Sequence, residues 1–243
     1  MASGFDEAPL RREGLTGAKA ASGNEGHRDR LRRRYVGAGA AALAHHELLE
    51  LLLFEFVPRA DTKELAKALL ARFGNLEGVL FAPAKELQTV KGVGARIANA
   101  ISTLADIQRR AMEDRLRDRD VLDNWKAVIE YLRGEMGFLH REQFRVLFLN
   151  KRNVLIANEA MQEGTVDHAP AYPREVIRRA IELSATAVIL VHNHPSGDPT
   201  PSRADIEMTQ RIIESGKPLE IVVHDHIVMG RDGHASLRGL QLI

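Results

Sequence analysis

The chain contains no cysteine. It can therefore form neither disulfides nor thiolate metal sites, and any strong metal ligation falls to histidine and carboxylate side chains. An excess of one charge is also missing: 34 Lys and Arg stand against 33 Asp and Glu, for a net charge of +1. That balance excludes a chain-wide basic field, so any DNA contact has to be local. Long apolar runs are absent as well. The longest, residues 48–54 and 185–191, fall far short of a bilayer's width, and the N-terminus has no apolar signal core. These absences lead us to expect a cytoplasmic protein without a membrane segment, and its 243 residues are enough for two modest domains.

Residues 1–26 are rich in Gly, Ala, Ser and charge without an apolar period, which predicts a disordered tail. From residue 28 to about 112 the pattern is helical, with Leu48, Leu49, Leu52 and Leu53 on one apolar face and Leu65, Ala66, Leu69 and Leu70 on another. The charge-dense stretch 113–120 either extends the last helix or links two domains, and the boundary is placed near 117. Beyond it, residues 144–149 and 154–157 read as a hairpin around Asn150-Lys151-Arg152-Asn153. A helix from Pro173 through Ile181, a buried strand over 185–191, a helix over 202–215 and a strand over 219–223 complete an α/β alternation.

The buried strand delivers His192 and His194, and strand residues two apart point the same way. The Pro- and Gly-rich segment 195–201 then reverses the chain and brings Ser202 and Asp205 back. Two imidazoles and one carboxylate make three protein ligands with a fourth tetrahedral position open to water, the arrangement of a catalytic zinc. Ser202 and Asp205 also read as the cap and first turn of a helix, and capping is compatible with ligation. His224 and His226 repeat the two-residue spacing with no carboxylate in ligating reach, so His224 reads as a surface or hydrogen-bonded histidine.

His-x-His, seven residues, Ser, two residues, Asp is the spacing of the JAMM (MPN+) metalloprotease family, and His192, His194, Ser202 and Asp205 match it at each position. The phrase from Val191 to Asp205 resembles the RadC branch of that family. The likeness runs back through Tyr172-Pro173-Arg174-Glu175-Val176 and Glu163-Gly164-Thr165, and forward to Asp225-His226. The resemblance implies an α/β MPN (JAMM) domain over 118–243, with Zn2+ held by His192, His194 and Asp205. Ser202 then hydrogen-bonds the oxyanion or bound water, and a glutamate from an earlier strand serves as general base. Glu159 fits that place best and Glu163 competes with it; either also reads as a solvated residue beside a turn.

Val90-Lys91-Gly92-Val93-Gly94, ahead of a helix starting near Ala95, resembles the helix-hairpin-helix element. Its glycine turn presents backbone N–H groups at a helix N-terminus, a natural phosphate site. RadC proteins carry such a module ahead of the JAMM domain. The resemblance thus implies a small all-α helix-hairpin-helix domain over 27–117, in which Lys91, Gly92, Gly94 and Arg96 touch a DNA backbone without reading bases. Taken alone, the glycines need do no more than permit a tight turn. Residues 54–62 depart from the family pattern, and the five arginines of 28–34 read as a solvated helix face or a phosphate patch.

Two functions follow. One is a zinc-dependent hydrolase of the metalloprotease or isopeptidase type, acting on a protein or peptide substrate and localised by DNA. The other is a DNA-binding repair or recombination accessory protein with an inert JAMM domain. The complete ligand set favours the first.

Overall fold

The computed structural model describes residues 24–58, 61–117, 119–163, 172–231 and 233–243. The chain divides into two compact units, Met1–Arg72 and Phe73–Ile243. Of the expected tail, residues 1–23 lie outside the described residues, and Asn24 already opens the first helix, α1 (Asn24–Ala38).

In the first unit α1 is followed by α2 (His45–Leu53) and α3 (Lys63–Phe73), the latter crossing the unit boundary by one residue. Leu31, Leu43 and Phe54 are buried together, with Leu48 and Leu51 against them. Three arginines of α1 turn to partners within the unit. Arg32 pairs with Glu55 at 3.2 Å, Arg34 with Glu47 at 2.6 Å, and the Arg28 guanidinium lies 4.7 Å over the Phe54 ring.

The second unit begins with short helices α4 (Leu76–Phe81) and α5 (Ala84–Leu87) and the long α6 (Ala95–Arg117). Asn75 caps α4, its side-chain oxygen accepting from the Gly78 N–H at 2.7 Å. The charged stretch after residue 112 extends α6, where Arg117 pairs with Glu113 one turn earlier at 2.6 Å. Helix α7 (Trp125–Met136), not anticipated from the sequence, leads into strands β1 (Gln143–Leu149) and β2 (Leu155–Glu163). Helix α8 (Pro173–Glu182), β3 (Ala187–Asn193), α9 (Arg203–Gly216), β4 (Val222–Met229) and β5 (His234–Ser236) complete the unit.

The strands form one sheet in the order β2-β1-β3-β4-β5, antiparallel except for the β3–β4 pair. Both faces are covered. Leu147, Leu149, Ile189, Val191, Ile227 and Met229 pack with Val128, Leu132 and Met136 of α7. On the other face Phe144, Val146, Val188 and Leu190 pack with Val176, Ile177 and Ala180 of α8 and Ile212 of α9. All seven residues of β3 are buried, as expected of a central strand with helices on both sides. An N-terminal helical region followed by a mixed α/β sheet domain is thus the architecture.

Strand β3 lies two residues later than expected, β5 was not expected, and two strands depart further. β2 runs to Glu163, and the strand placed over 219–223 lies instead at Val222–Met229, after a single 3-10 turn at Lys217–Leu219. The polar run His224-Asp225-His226 hides that strand from a hydrophobicity pattern. Its polarity is tolerated because the three side chains are hydrogen-bonded.

Candidate metal centre

Strand alternation puts Val188, Leu190 and His192 on the face covered by α8 and α9. His192 is 1% exposed. His194 lies one residue past the strand, still tied to the sheet by its N–H donating to the Met229 carbonyl at 2.9 Å. The following turn closes with the Gly197 N–H on the His194 carbonyl at 2.9 Å. This turn rests directly on Gly230, where a Cβ would meet the Gly197 carbonyl oxygen at 2.2 Å, so the position admits no side chain.

The chain then reverses into α9. Ser202 is its N-cap: the Ser202 hydroxyl accepts from the Asp205 N–H at 3.2 Å, and Asp205 Oδ2 accepts from the Ser202 N–H at 2.7 Å. One carboxylate oxygen of Asp205 serves the cap and the other, Oδ1, faces His192 Nε2 at 3.5 Å. Capping and facing the histidines therefore coexist in one side chain.

Hydrogen-bond direction fixes the tautomer of His194. His194 Nδ1 sits 2.7 Å from the Asp198 carbonyl oxygen, which can only accept, so Nδ1 carries the proton and Nε2 of the neutral ring is bare. His192 Nδ1 lies 2.8 Å from His226 Nε2, and His192 Nε2 lies 2.9 Å from His194 Nε2. Burial, opposed by Asp205 and aided by His194, pulls the His192 pKa down to about 4, so the ring is neutral near pH 7. The 3.5 Å approach to Asp205 is accordingly a carboxylate beside a neutral ring, and not an ion pair. Two imidazole nitrogens and a carboxylate oxygen thus converge, with their ligand atoms within 4.8 Å of one another. A cation can join three such donor atoms, and a His/His/carboxylate set suits zinc or a similar borderline divalent ion. The group can hold a metal ion.

Other expected residues are placed less centrally. Glu159 pairs across β1 through Val146 to Leu190, two residues before His192. Its carboxylate is gripped by Arg179 of α8, Nε to Oε2 at 2.7 Å and Nη2 to Oε1 at 2.6 Å, which holds its carboxyl below the usual glutamate range. Glu163 ends β2 opposite Gln143. The row that contains His192 passes through Phe144 to Gln162.

In the helical part, Gly92 has φ +97°, a left-handed conformation that favours glycine. Val93, Ile97 and Ala98 are buried, while Lys91, Gly92, Gly94 and Arg96 are exposed. The hairpin turn is thus anchored by its apolar residues and leaves the DNA-binding candidates on the surface.

Arg179 and Thr209 escaped the sequence reading, and His226, to which the resemblance extends, had no role in it. His226 is wholly buried behind His192, with Nδ1 2.6 Å from Thr209 Oγ1. Burial, and then the neighbouring His192 and His194, push its pKa well below the imidazole range. The available signal was Thr209 at the fourth position after Asp205, on the buried face of α9. His224, by contrast, bonds Asn153 Oδ1 at 2.8 Å, the hydrogen-bonded role its spacing suggested.

Two family models match the chain. The RadC-like JAB domain matches residues 122–242, which contain the sheet, α8, α9 and the candidate metal group, and the UPF0758 N-terminal model matches residues 25–99, which contain the glycine turn. The chain belongs to the RadC (UPF0758) family, with an MPN/JAB-type domain following its helical region.

Proposed function

We propose that the protein is a zinc-dependent hydrolase of the metalloprotease or isopeptidase type, acting on an amide bond of a protein or peptide. The observation that carries this reading is the convergence of the Nε2 atoms of His192 and His194, 2.9 Å apart, on Asp205. A zinc ion there supplies Lewis-acid polarisation of a carbonyl and a lowered pKa for water. The chain's own groups supply the rest. The Ser202 hydroxyl accepts from the Asp205 N–H and keeps its own proton to donate to a developing oxyanion. Glu159 lies on the sheet face that carries His192, and Arg179 keeps it ionised, the form a proton acceptor needs. Glu163, at the end of the same strand, is the competing acceptor.

The test uses zinc-loaded full-length protein, denatured casein and a mixed peptide library, with cleavage read by mass spectrometry. Cleavage that disappears with chelator and in Asp205→Asn supports the assignment. Glu159→Gln is expected to lower the rate by about 100- to 10,000-fold, the usual range for removing a general base. If the loss appears in Glu163→Gln instead, the base is reassigned. Cleavage indifferent to chelator and to Asp205→Asn sinks the reading.

The exposed turn at Lys91, Gly92, Gly94 and Arg96 favours a second activity, sequence-independent contact with DNA phosphates. The two activities are compatible, with DNA localising the hydrolase. With an inert site, DNA binding alone would make the protein a repair or recombination accessory factor.

A further inference from the structure

The metal-facing imidazole of His192 is one end of a buried chain of hydrogen bonds whose directions can be assigned. At the far end the Asp205 carbonyl oxygen can only accept, so Thr209 Oγ1, 2.6 Å away, donates its proton to it. That hydroxyl then has only lone pairs for His226 Nδ1, also at 2.6 Å, so Nδ1 carries a proton. His226 is 0% exposed and both ring nitrogens meet uncharged partners, so the ring is the neutral form and its Nε2 accepts. The proton shared across 2.8 Å therefore belongs to His192 Nδ1, and His192 Nε2 is left bare beside His194 and Asp205.

We propose that His226, backed by Thr209, is a positioning residue that sets the tautomer of His192 and so aims its Nε2 lone pair at the candidate metal. This rests on the reading of His192, His194 and Asp205 as a metal centre. Packing does not account for a histidine at this place. Its ring sits edge-on to Phe144 at 5.8 Å, inside a layer whose neighbours include Phe144, Val146 and Leu190, and the next three residues of β4 are the buried apolar Ile227, Val228 and Met229. An apolar side chain fills such a place without the cost of burying two polar nitrogens. The circuit also closes on itself, because the carbonyl that orients Thr209 belongs to Asp205, whose carboxylate faces the same point. Without His226 the His192 ring is free to take either tautomer, and one of them turns an N–H toward the ion.

The experiment combines two measurements on full-length protein. Long-range proton–nitrogen NMR of the metal-free wild type reads the protonation of each His192 nitrogen. Zinc affinity is read by chelator competition in wild type, His226→Phe, His226→Gln and Thr209→Val. We expect a protonated Nδ1 and bare Nε2 on His192. His226→Phe should bind zinc about 10- to 100-fold more weakly, the range for loss of an outer hydrogen-bond partner of a ligand. His226→Gln, whose amide oxygen can accept from Nδ1, should recover most of the loss, and Thr209→Val should fall between. A purely structural role would lower the melting temperature of the metal-free variants without separating Gln from Phe in zinc affinity. A bare Nδ1 on His192 in the wild type overturns the proposal, as does zinc affinity in His226→Phe within twofold of wild type. Should the wild type bind no zinc, the metal-centre reading fails, and the NMR result still decides the tautomer assignment.

Discussion

Zinc is expected to stabilise the folded chain by an amount that one substitution removes. Metal-free, the site holds two bare Nε2 atoms 2.9 Å apart and a carboxylate oxygen 3.5 Å from one of them, an arrangement that a cation relieves. A ligand that binds only the folded state at one hundred times its dissociation constant adds about 2.7 kcal/mol of stability. For a chain of 243 residues each kcal/mol raises the melting temperature by about 2–4 °C, so the shift comes to about 5–11 °C. His194→Ala removes one of the three ligand atoms and also one of the opposed lone pairs. Its metal-free form should melt near the wild type. If its affinity falls until the same zinc concentration only equals the dissociation constant, the gain shrinks to about 0.4 kcal/mol, or about 1–2 °C. Calorimetry with and without chelator measures both proteins, and magnesium, which prefers oxygen ligands in an octahedron, provides a control expected to give no shift. The reasoning is refuted if zinc leaves the wild-type transition unmoved, or moves His194→Ala as far.

Three further outcomes follow from particular contacts. Glu159→Gln should cost about 0.2–1 kcal/mol at pH 7, since the pair with Arg179 is about a third exposed on both sides. Because Arg179 lowers the Glu159 pKa, that contribution is complete above the pKa of an unfolded glutamate, about 4.3, and disappears as pH falls through the folded value; melting curves of both proteins from pH 7 downward should converge in acid, and a constant gap would count against the pair. Gly230→Ala drives a methyl group against the Gly197 carbonyl, with 2.2 Å available, and should cost about 1–3 kcal/mol in urea unfolding while weakening zinc binding through the turn that follows His194; unchanged zinc affinity would separate the turn from the site. Lys91→Ala should reduce the salt dependence of binding to a random-sequence duplex by about one unit of slope, measured by anisotropy, and an unaltered slope would remove Lys91 from the interface.

The metal group was legible in the sequence because every step to it is local. Alternation along β3, carried one residue past its end, aligns His192 with His194, a turn of Pro and Gly reverses the chain, and a Ser-x-x-Asp cap orients the third ligand atom. The supporting contacts are long-range. Arg179 reaches Glu159 across 20 residues and His226 reaches His192 across 34, and neither spacing carries a periodic signal. Strand β4 is hidden for the same reason, since its polar residues are satisfied by partners from β3, α9, the hairpin turn, β5 and Arg238, most of which a window of neighbouring residues does not contain.

A single irregularity decides which polar residue of β4 stands behind the metal group. In the parallel pair Val188 aligns with Val223, but Ile189 aligns with Asp225, so β4 carries one extra residue, His224, at this point. Because side chains alternate, a one-residue slip exchanges the faces of everything that follows. Without the bulge Leu190 would align with Asp225, which would then face α9 and the imidazole of His192, and His226 would face α7. With it, Leu190 aligns with His226, whose ring reaches His192 and Thr209. Asp225 turns to the other face, where it accepts from the backbone N–H of Arg238 at 3.0 Å and from the Ser236 hydroxyl. The slip therefore places a neutral acceptor, and not a carboxylate, behind His192. A carboxylate there would add a second negative group to a buried site that already holds Asp205, whereas an imidazole fixes the tautomer without adding charge. The register of two hydrogen-bonded strands, which no local pattern of residues specifies, thus sets the charge of the candidate metal centre.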